Sequence, residues 1–232
     1  MVAIWKVRNR AYFEGRTPTL QYCFNLIRKE IHNAATLSTA HTHNSLQELE
    51  ITRIWGLSMR PTAAPRVQQG IWLPPASGQV KINTDGAAKG NPGQAGYGSS
   101  FRVHDGNFLL IRGKVLGEAT SYWAESMGIL ESVEIAIEQG WLNVWVESDA
   151  AAAVSAYTSN SMPWQMKYRW QNCMKRLHFF YLSHIWREGN TVADAIAKKA
   201  SNLEKDQLIV CNEKPPWIHK WEVPYQTFTR FA

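Results

Sequence analysis

The chain has 232 residues, 45% of them hydrophobic, with 11 Trp and a formal net charge of +6. This length holds one full-sized domain with extensions or two small domains, and the composition is that of a globular protein. Apolar runs such as Val144-Trp145-Val146 fall far short of the ~18–20 residues a bilayer span needs, which excludes a membrane-spanning class. Lys6, Arg8 and Arg10 interrupt the early apolar residues, so no signal-peptide core is expected, and the chain reads as soluble and intracellular. Cys23, Cys173 and Cys211 are dispersed, odd in number and without C-x-x-C spacing. That pattern fits a reducing compartment and argues against a disulfide scaffold or a structural zinc site.

The charge is unevenly placed. Residues 1–77 hold nine Lys and Arg against four Asp and Glu, residues 78–204 hold twelve of each, and residues 205–232 hold four against three. A basic flank of this kind either raises nucleic-acid affinity without sequence preference or keeps a poorly ordered segment solvated. Composition alone does not choose between the two.

Taken in chain order, residues 1–78 read as a mostly helical, basic appendage that ends in a linker. Ile4–Arg10, Leu20–Ala35 and Leu46–Trp55 carry helical spacing, separated by a Ser/Thr/His-rich stretch from Thr36 to Ser45. Pro61, Pro65, Pro74, Pro75 and Gly78 are the linker punctuation.

Residues 79–202 read as one α/β domain. Lys81–Asp85 is a first strand that ends at the Gly-rich turn Gly86–Gly93. Gly96–Val103 and Phe108–Val115 are two more strands, joined by the hairpin signal Asp105-Gly106-Asn107. Thr120 or Ser121 caps a helix that stops at Gly140. Val144–Ser148 is a fourth strand, the Ala-rich run to Tyr157 and Trp164–Leu177 are helices, His178–Trp186 is a fifth strand, and Thr191–Ser201 is a closing helix. The expected fold is a five-stranded mixed sheet, three antiparallel strands then two parallel, flanked by helices. Residues 203–232, with Pro215-Pro216-Trp217, read as a tail.

Four carboxylates fall where side chains converge at the rim of such a sheet. Asp85 ends the first strand, Glu125 and Asp194 lie in the first turns of two helices, and Asp149 follows the fourth strand. Placed together they would repel and resist ionising unless cations offset the charge, which suits a divalent-metal site. One at a time, helix-dipole preference explains Glu125, Asp149 and Asp194 equally well.

The stretch Asp85-Gly86-Ala87-Ala88-Lys89-Gly90-Asn91-Pro92-Gly93-Gln94-Ala95-Gly96-Tyr97-Gly98 resembles the opening motif of type 1 ribonucleases H. Ala124-Glu125 resembles the second motif, Glu147-Ser148-Asp149 the third, and Asn190–Asp194 with Ala197 the fourth, in the same order and at matching intervals. The likeness covers just over half the chain and has the flavour of domains derived from plant retroelement reverse transcriptases. The resemblance implies an endonuclease that cuts the RNA strand of RNA–DNA hybrids with two magnesium ions, which manganese can replace. Asp85 would bridge the two ions, Glu125 and Asp149 would complete one site, and Asp194 the other. Gly90 and Asn91 would lie along the minor groove, where 2′-hydroxyls mark the RNA. Thr120 and Ser121 would hold a phosphate of the DNA strand, although helix capping explains either residue as well. The implied partner is the hybrid alone, bound by a monomer, with membership in a longer retroelement polyprotein left open.

The chain departs from the family pattern in two places. The loop before the last helix, Arg187-Glu188-Gly189-Asn190, lacks the His that many members place there. General acid–base help is worth ~10²–10⁴-fold, so its absence bears on rate; His184 is near but mid-strand. The lysine-rich protrusion of some members is missing too, with Lys167, Arg169, Lys175 and Arg176 the basic residues near that place. The rival to the enzyme is therefore a transposon-derived nucleic-acid-binding domain with little or no turnover.

Overall fold

The computed structural model describes residues 2–43, 45–62 and 66–231. It divides into two units, Met1–Pro65 and Arg66–Ala232. Pro65, one of the linker prolines, lies outside the described residues.

The first unit contains α1 (Val2–Phe13), α2 (Leu20–Leu37) and α3 (Leu46–Trp55). Each of the last two starts at a hydroxyl cap: Thr19 accepts from the Tyr22 amide at 3.2 Å and Ser45 from the Glu48 amide at 3.3 Å. Neither α2 nor α3 has a buried residue, so Phe24, Leu37 and Ile54 stay exposed. An ion pair from Lys6 to Glu30 at 2.5 Å joins α1 to α2.

The second unit opens with a short strand, β1 (Val67–Ile71), and a three-stranded antiparallel meander: β2 (Val80–Gly90), β3 (Gly93–Arg102) and β4 (Phe108–Ala119). Then come α4 (Ser121–Glu138), β5 (Asn143–Ser148), α5 (Ala151–Thr158), α6 (Trp164–Met174) and β6 (Phe179–His184). A 3₁₀ turn at Arg187–Gly189, α7 (Thr191–Ala200), β7 (Leu208–Cys211) and β8 (Thr227–Phe231) complete the chain. The sheet order is β6-β5-β2-β3-β4-β7, with β5 parallel to β2 and β6 parallel to β5. The expected five strands and their directions are all present, and β7 adds a sixth at the edge.

Strand periodicity of two sends alternate residues to opposite faces. Ile82, Phe101, Val144 and Val146 point one way and pack with Leu130, Val133 and Ile137 of α4 and with Met166 and Trp170 of α6. Fully burying such a side chain contributes roughly 1.5–3 kcal/mol, so this layer is the main apolar core. On the other face a smaller cluster forms from Ile111 and Ile209 with Val192, Ile196 and Ala200 of α7, closed by Ile218.

Three expectations change. The first strand does not end at Asp85 but runs to Gly90, because Gly86–Gly90 keep their pairing with β3 down to Gly93. The boundary at Gly78 moves to Pro65/Arg66, since β1 pairs antiparallel with β8. The segment read as a tail is packed on the domain over residues 203–231: Ile218 is 1% exposed, Glu222 is 5% exposed, and β7 and β8 are both paired. Among the described residues no helix is long and apolar enough to cross a membrane.

Candidate metal centre

Asp85 sits on β2 opposite Gly98, one residue beyond Thr84↔Ser148, the last pair between β2 and β5. β5 therefore stops just as Asp85 begins, and Asp149 leaves the end of β5 beside it. Gly86 explains the approach of Glu125: a Cβ there would lie 2.2 Å from the Glu125 amide nitrogen, so only glycine lets α4 rest on the strand. Gly98 does the same for α7, where a Cβ would fall 2.3 Å from the Ala197 nitrogen. Glu125 stands beyond the first turn of α4, which contains no acidic residue, whereas Asp194 is in the first turn of α7.

One oxygen from each of Asp85, Glu125 and Asp149 lies within 4.8 Å of the others. Asp194 is outside this triad but lines the same cleft of about 590 Å³, together with Lys89, Ser121, Arg187 and Lys198. Its carboxylate accepts from Lys198 Nζ at 2.6 Å and Arg187 Nη2 at 3.3 Å. The structure thus gathers three of the four acids and holds the fourth in ion pairs at the rim.

Burial pushes the Asp85 carboxyl up, and the neighbouring Asp149 charge adds to the rise. Glu125 is raised by burial first, then by the charges of Asp85 and Asp149. The mutual contact of Asp85 and Glu125 lowers Asp85 and raises Glu125, while burial raises both. Glu125 Oε2 is buried with no partner among the described residues. A convergent set of hard oxygen donors that resist ionising and leave a buried oxygen unmatched fits a divalent cation of the magnesium or manganese kind.

Around this centre Asn190 is fully buried and donates through Nδ2 to the Thr84 carbonyl and to Asp149 Oδ1, both at 3.0 Å. The sequence motif contained Asn190, but only the structure gives it this orienting task. His184 Nε2 donates to the carbonyl oxygen of Asp149 at 3.2 Å, away from the carboxylates. Gly90 and Asn91 form the tip of the β2–β3 hairpin, and Asn91 Oδ1 accepts from the Ser121 amide at 3.2 Å. Thr120 caps α4 by accepting from the Trp123 amide at 3.2 Å, while Ser121 faces the cleft. Arg169 of α6, one of the four basic candidates, pairs with Glu134 at 2.5 Å.

Sequence reasoning missed a buried polar network next to this centre. Lys81, on the face of β2 that carries Asp85, pairs with Glu147 at 2.8 Å and lies 3.8 Å over the Trp145 ring and 4.4 Å over Trp72. Burial lowers its pKa to about 8 even though Glu147 opposes the shift. Asn83 donates to Glu147 at 3.1 Å and accepts from Trp72 Nε1 and Arg102 Nη2, both at 3.2 Å. Arg102 pairs with Glu222 at 2.7 Å. The available signal was the presence of Lys81 and Arg102, directly opposite each other, inside strands that otherwise read as buried.

The sheet order, the helices and the acidic cluster define a ribonuclease H-like domain. Residues 83–200, just over half of the chain, match the reverse transcriptase-like family, and the chain belongs to that family. A protein of Arabidopsis thaliana whose curated name proposes a ribonuclease H is 31% identical over 60% of this chain and 23% of its own length. Ribonuclease HI of Halobacterium salinarum is 27% identical over 55% of this chain and 66% of its own length. The chain therefore spans less than two thirds of these relatives. The N-terminal ribonuclease H domain of a Mycobacterium tuberculosis protein, solved as a fusion with maltose-binding protein, superposes with a TM-score of 0.50. It is 25% identical and covers 53% of this chain and 94% of that one.

Proposed function

We propose that this chain is a metal-dependent endonuclease that hydrolyses the RNA strand of RNA–DNA hybrids. The observation that carries the reading is the triad of Asp85, Glu125 and Asp149, one buried and two half-buried, with oxygens within 4.8 Å and no ion pair to a cation among the described residues. Asp85, Glu125 and Asp149 would hold one ion, and Asp85 with Asp194 a second; magnesium is the expected ion and manganese its substitute. Bound cations supply a lowered pKa for water and stabilise charge on the leaving oxygen of a phosphodiester.

The chain's own residues prepare that chemistry. Asn190 fixes the Asp149 carboxylate through one hydrogen bond. The Gly86 amide offers Glu125 a hydrogen bond that favours its ionised form. Arg187 and Lys198 neutralise Asp194 at the rim, where they are also placed to meet phosphate oxygens of a strand entering the cleft. Asn91 and Ser121, tied to each other at the hairpin tip, and Gly90 and Thr120 beside them supply contacts along the groove.

One observation favours the non-catalytic rival: among the described residues no histidine lines the cleft. The deciding experiment follows a labelled hybrid with the full chain and with Asp85→Asn, in magnesium and in chelator. The parent should cleave only with magnesium, and D85N should lose several orders of magnitude in rate while still binding the hybrid in calcium. Binding without cleavage by the parent would establish the rival instead.

A further inference from the structure

α7 starts at Thr191, preceded by Asn190, a residue type whose side-chain oxygen commonly caps a helix. Here Asn190 makes no capping bond: its Nδ2 donates to Thr84 and Asp149, which turns its Oδ1 away from the helix amides and leaves it buried without a partner among the described residues. The open donors of the first turn are met from the C-terminal segment instead. Glu222 Oε1 accepts from Thr191 Oγ1 at 2.8 Å and from the Val192 amide at 3.1 Å. Its Oε2 accepts from Arg102 Nη2 at 2.7 Å, and its carbonyl from Arg102 Nη1 at 2.8 Å.

A second contact acts on the same stretch. Phe228 of β8 lies so close to Gly189 that a Cβ there would come within 2.5 Å of its ring, and Trp186 meets the same ring edge-on at 6.2 Å. β8 is in turn held by β1. The segment from Trp186 to Val192 is therefore gripped from outside by residues that do not line the carboxylate cleft.

We infer that Glu222 is a positioning residue for the metal centre. It supplies from outside the acceptor that Asn190 does not give the first turn of α7, so that Asn190 keeps the orientation in which it holds Asp149, and it fixes the helical turn from which Asp194 projects. An anion at a helix N-terminus is favoured by the helix dipole as well as by the hydrogen bonds it accepts. The role rests on the proposed reading of the cluster as a metal site.

The test uses the full chain, metal-free, and compares the parent with Glu222→Ala and Thr191→Val. Manganese binding is read by electron paramagnetic resonance, amide exchange at Val192 by NMR, and folding by circular dichroism. E222A should stay folded, expose the Val192 amide to exchange, and bind manganese about 10–100-fold more weakly, the usual loss when a group that orients ligands is removed. T191V, which keeps the Val192 and Arg102 bonds, should show a smaller loss. A folded E222A with parental manganese affinity overturns the positioning role and leaves the metal reading intact. A parent that binds no manganese overturns both. Should E222A fail to fold, parental affinity in T191V overturns the role.

Discussion

Toward α4 the central sheet presents Ile82, Phe101 and Val146, while the alternate residues on its other face are Lys81, Asn83, Asp85, Arg102 and Glu147. The same strands thus build an apolar core on one side and a buried polar layer on the other. At one end of that layer every charge has an opposite partner, Lys81 with Glu147 and Arg102 with Glu222. At the other end Asp85, Glu125 and Asp149 meet no Lys or Arg in any ion pair among the described residues. Unpaired carboxylates on a buried face are the mark of a site, whereas paired ones hold structure. The contrast lies within a single β strand, between Lys81 and Asp85.

The largest stability effect should come from breaking the paired end. Arg102→Ala leaves the Glu222 carboxylate buried without its cation and should destabilise by about 3–5 kcal/mol in denaturant titrations. Replacing both partners together with apolar residues of similar volume should recover most of the loss. A loss for R102A no greater than that of a surface substitution would show that the pair does not hold this face together.

A smaller effect is expected from the glycines that let helices approach. Gly98→Ala puts a methyl group 2.3 Å from the Ala197 backbone nitrogen, contact that no side-chain rotation relieves. Overpacking of this kind typically costs about 1–3 kcal/mol, and because α7 must move, hybrid cleavage should fall more than stability does. Parental stability in G98A would mean that α7 shifts freely, and Asp194 would then not be fixed by the sheet.

The smallest effect is graded with pH. Asp85 and Glu125 hold protons more tightly in the folded chain than in the unfolded one. Between the ordinary carboxylate range, about pH 4, and about pH 8, to which Asp85 is raised, the native state therefore binds more protons at these groups than the unfolded state, and their contribution to stability falls as pH rises. Magnesium, binding only the folded chain, should oppose that fall. Melting temperatures measured across this range with magnesium and with chelator check the sign, and two coincident flat curves would contradict it.

The apolar face was legible from the sequence because its pattern is local. Period-two strands, the Thr120 cap and the run of apolar residues through Ile137 each announce themselves within a few residues. The acidic positions were legible through a motif whose glycines have a structural cause, since Gly86 and Gly98 are the points where α4 and α7 touch the sheet. The polar face was not. Glu222 meets Arg102 and Val192 across long stretches of chain, so no local pattern could announce it. β7 is four residues long and β1 pairs only with β8, too short and too distant for periodicity to register. The glycines after Asp85 read as the end of a strand, whereas in the fold Gly86–Gly90 continue the ladder against β3.

The most direct measurement titrates manganese into the metal-free full chain above neutral pH, beside Asp85→Asn, and counts bound ions by electron paramagnetic resonance. The account predicts saturable binding by the parent and its loss in D85N, with both proteins folded and D85N melting no lower than the metal-free parent. No saturable binding at millimolar manganese, or the same isotherm for both proteins, would contradict the reading of these carboxylates as a metal centre.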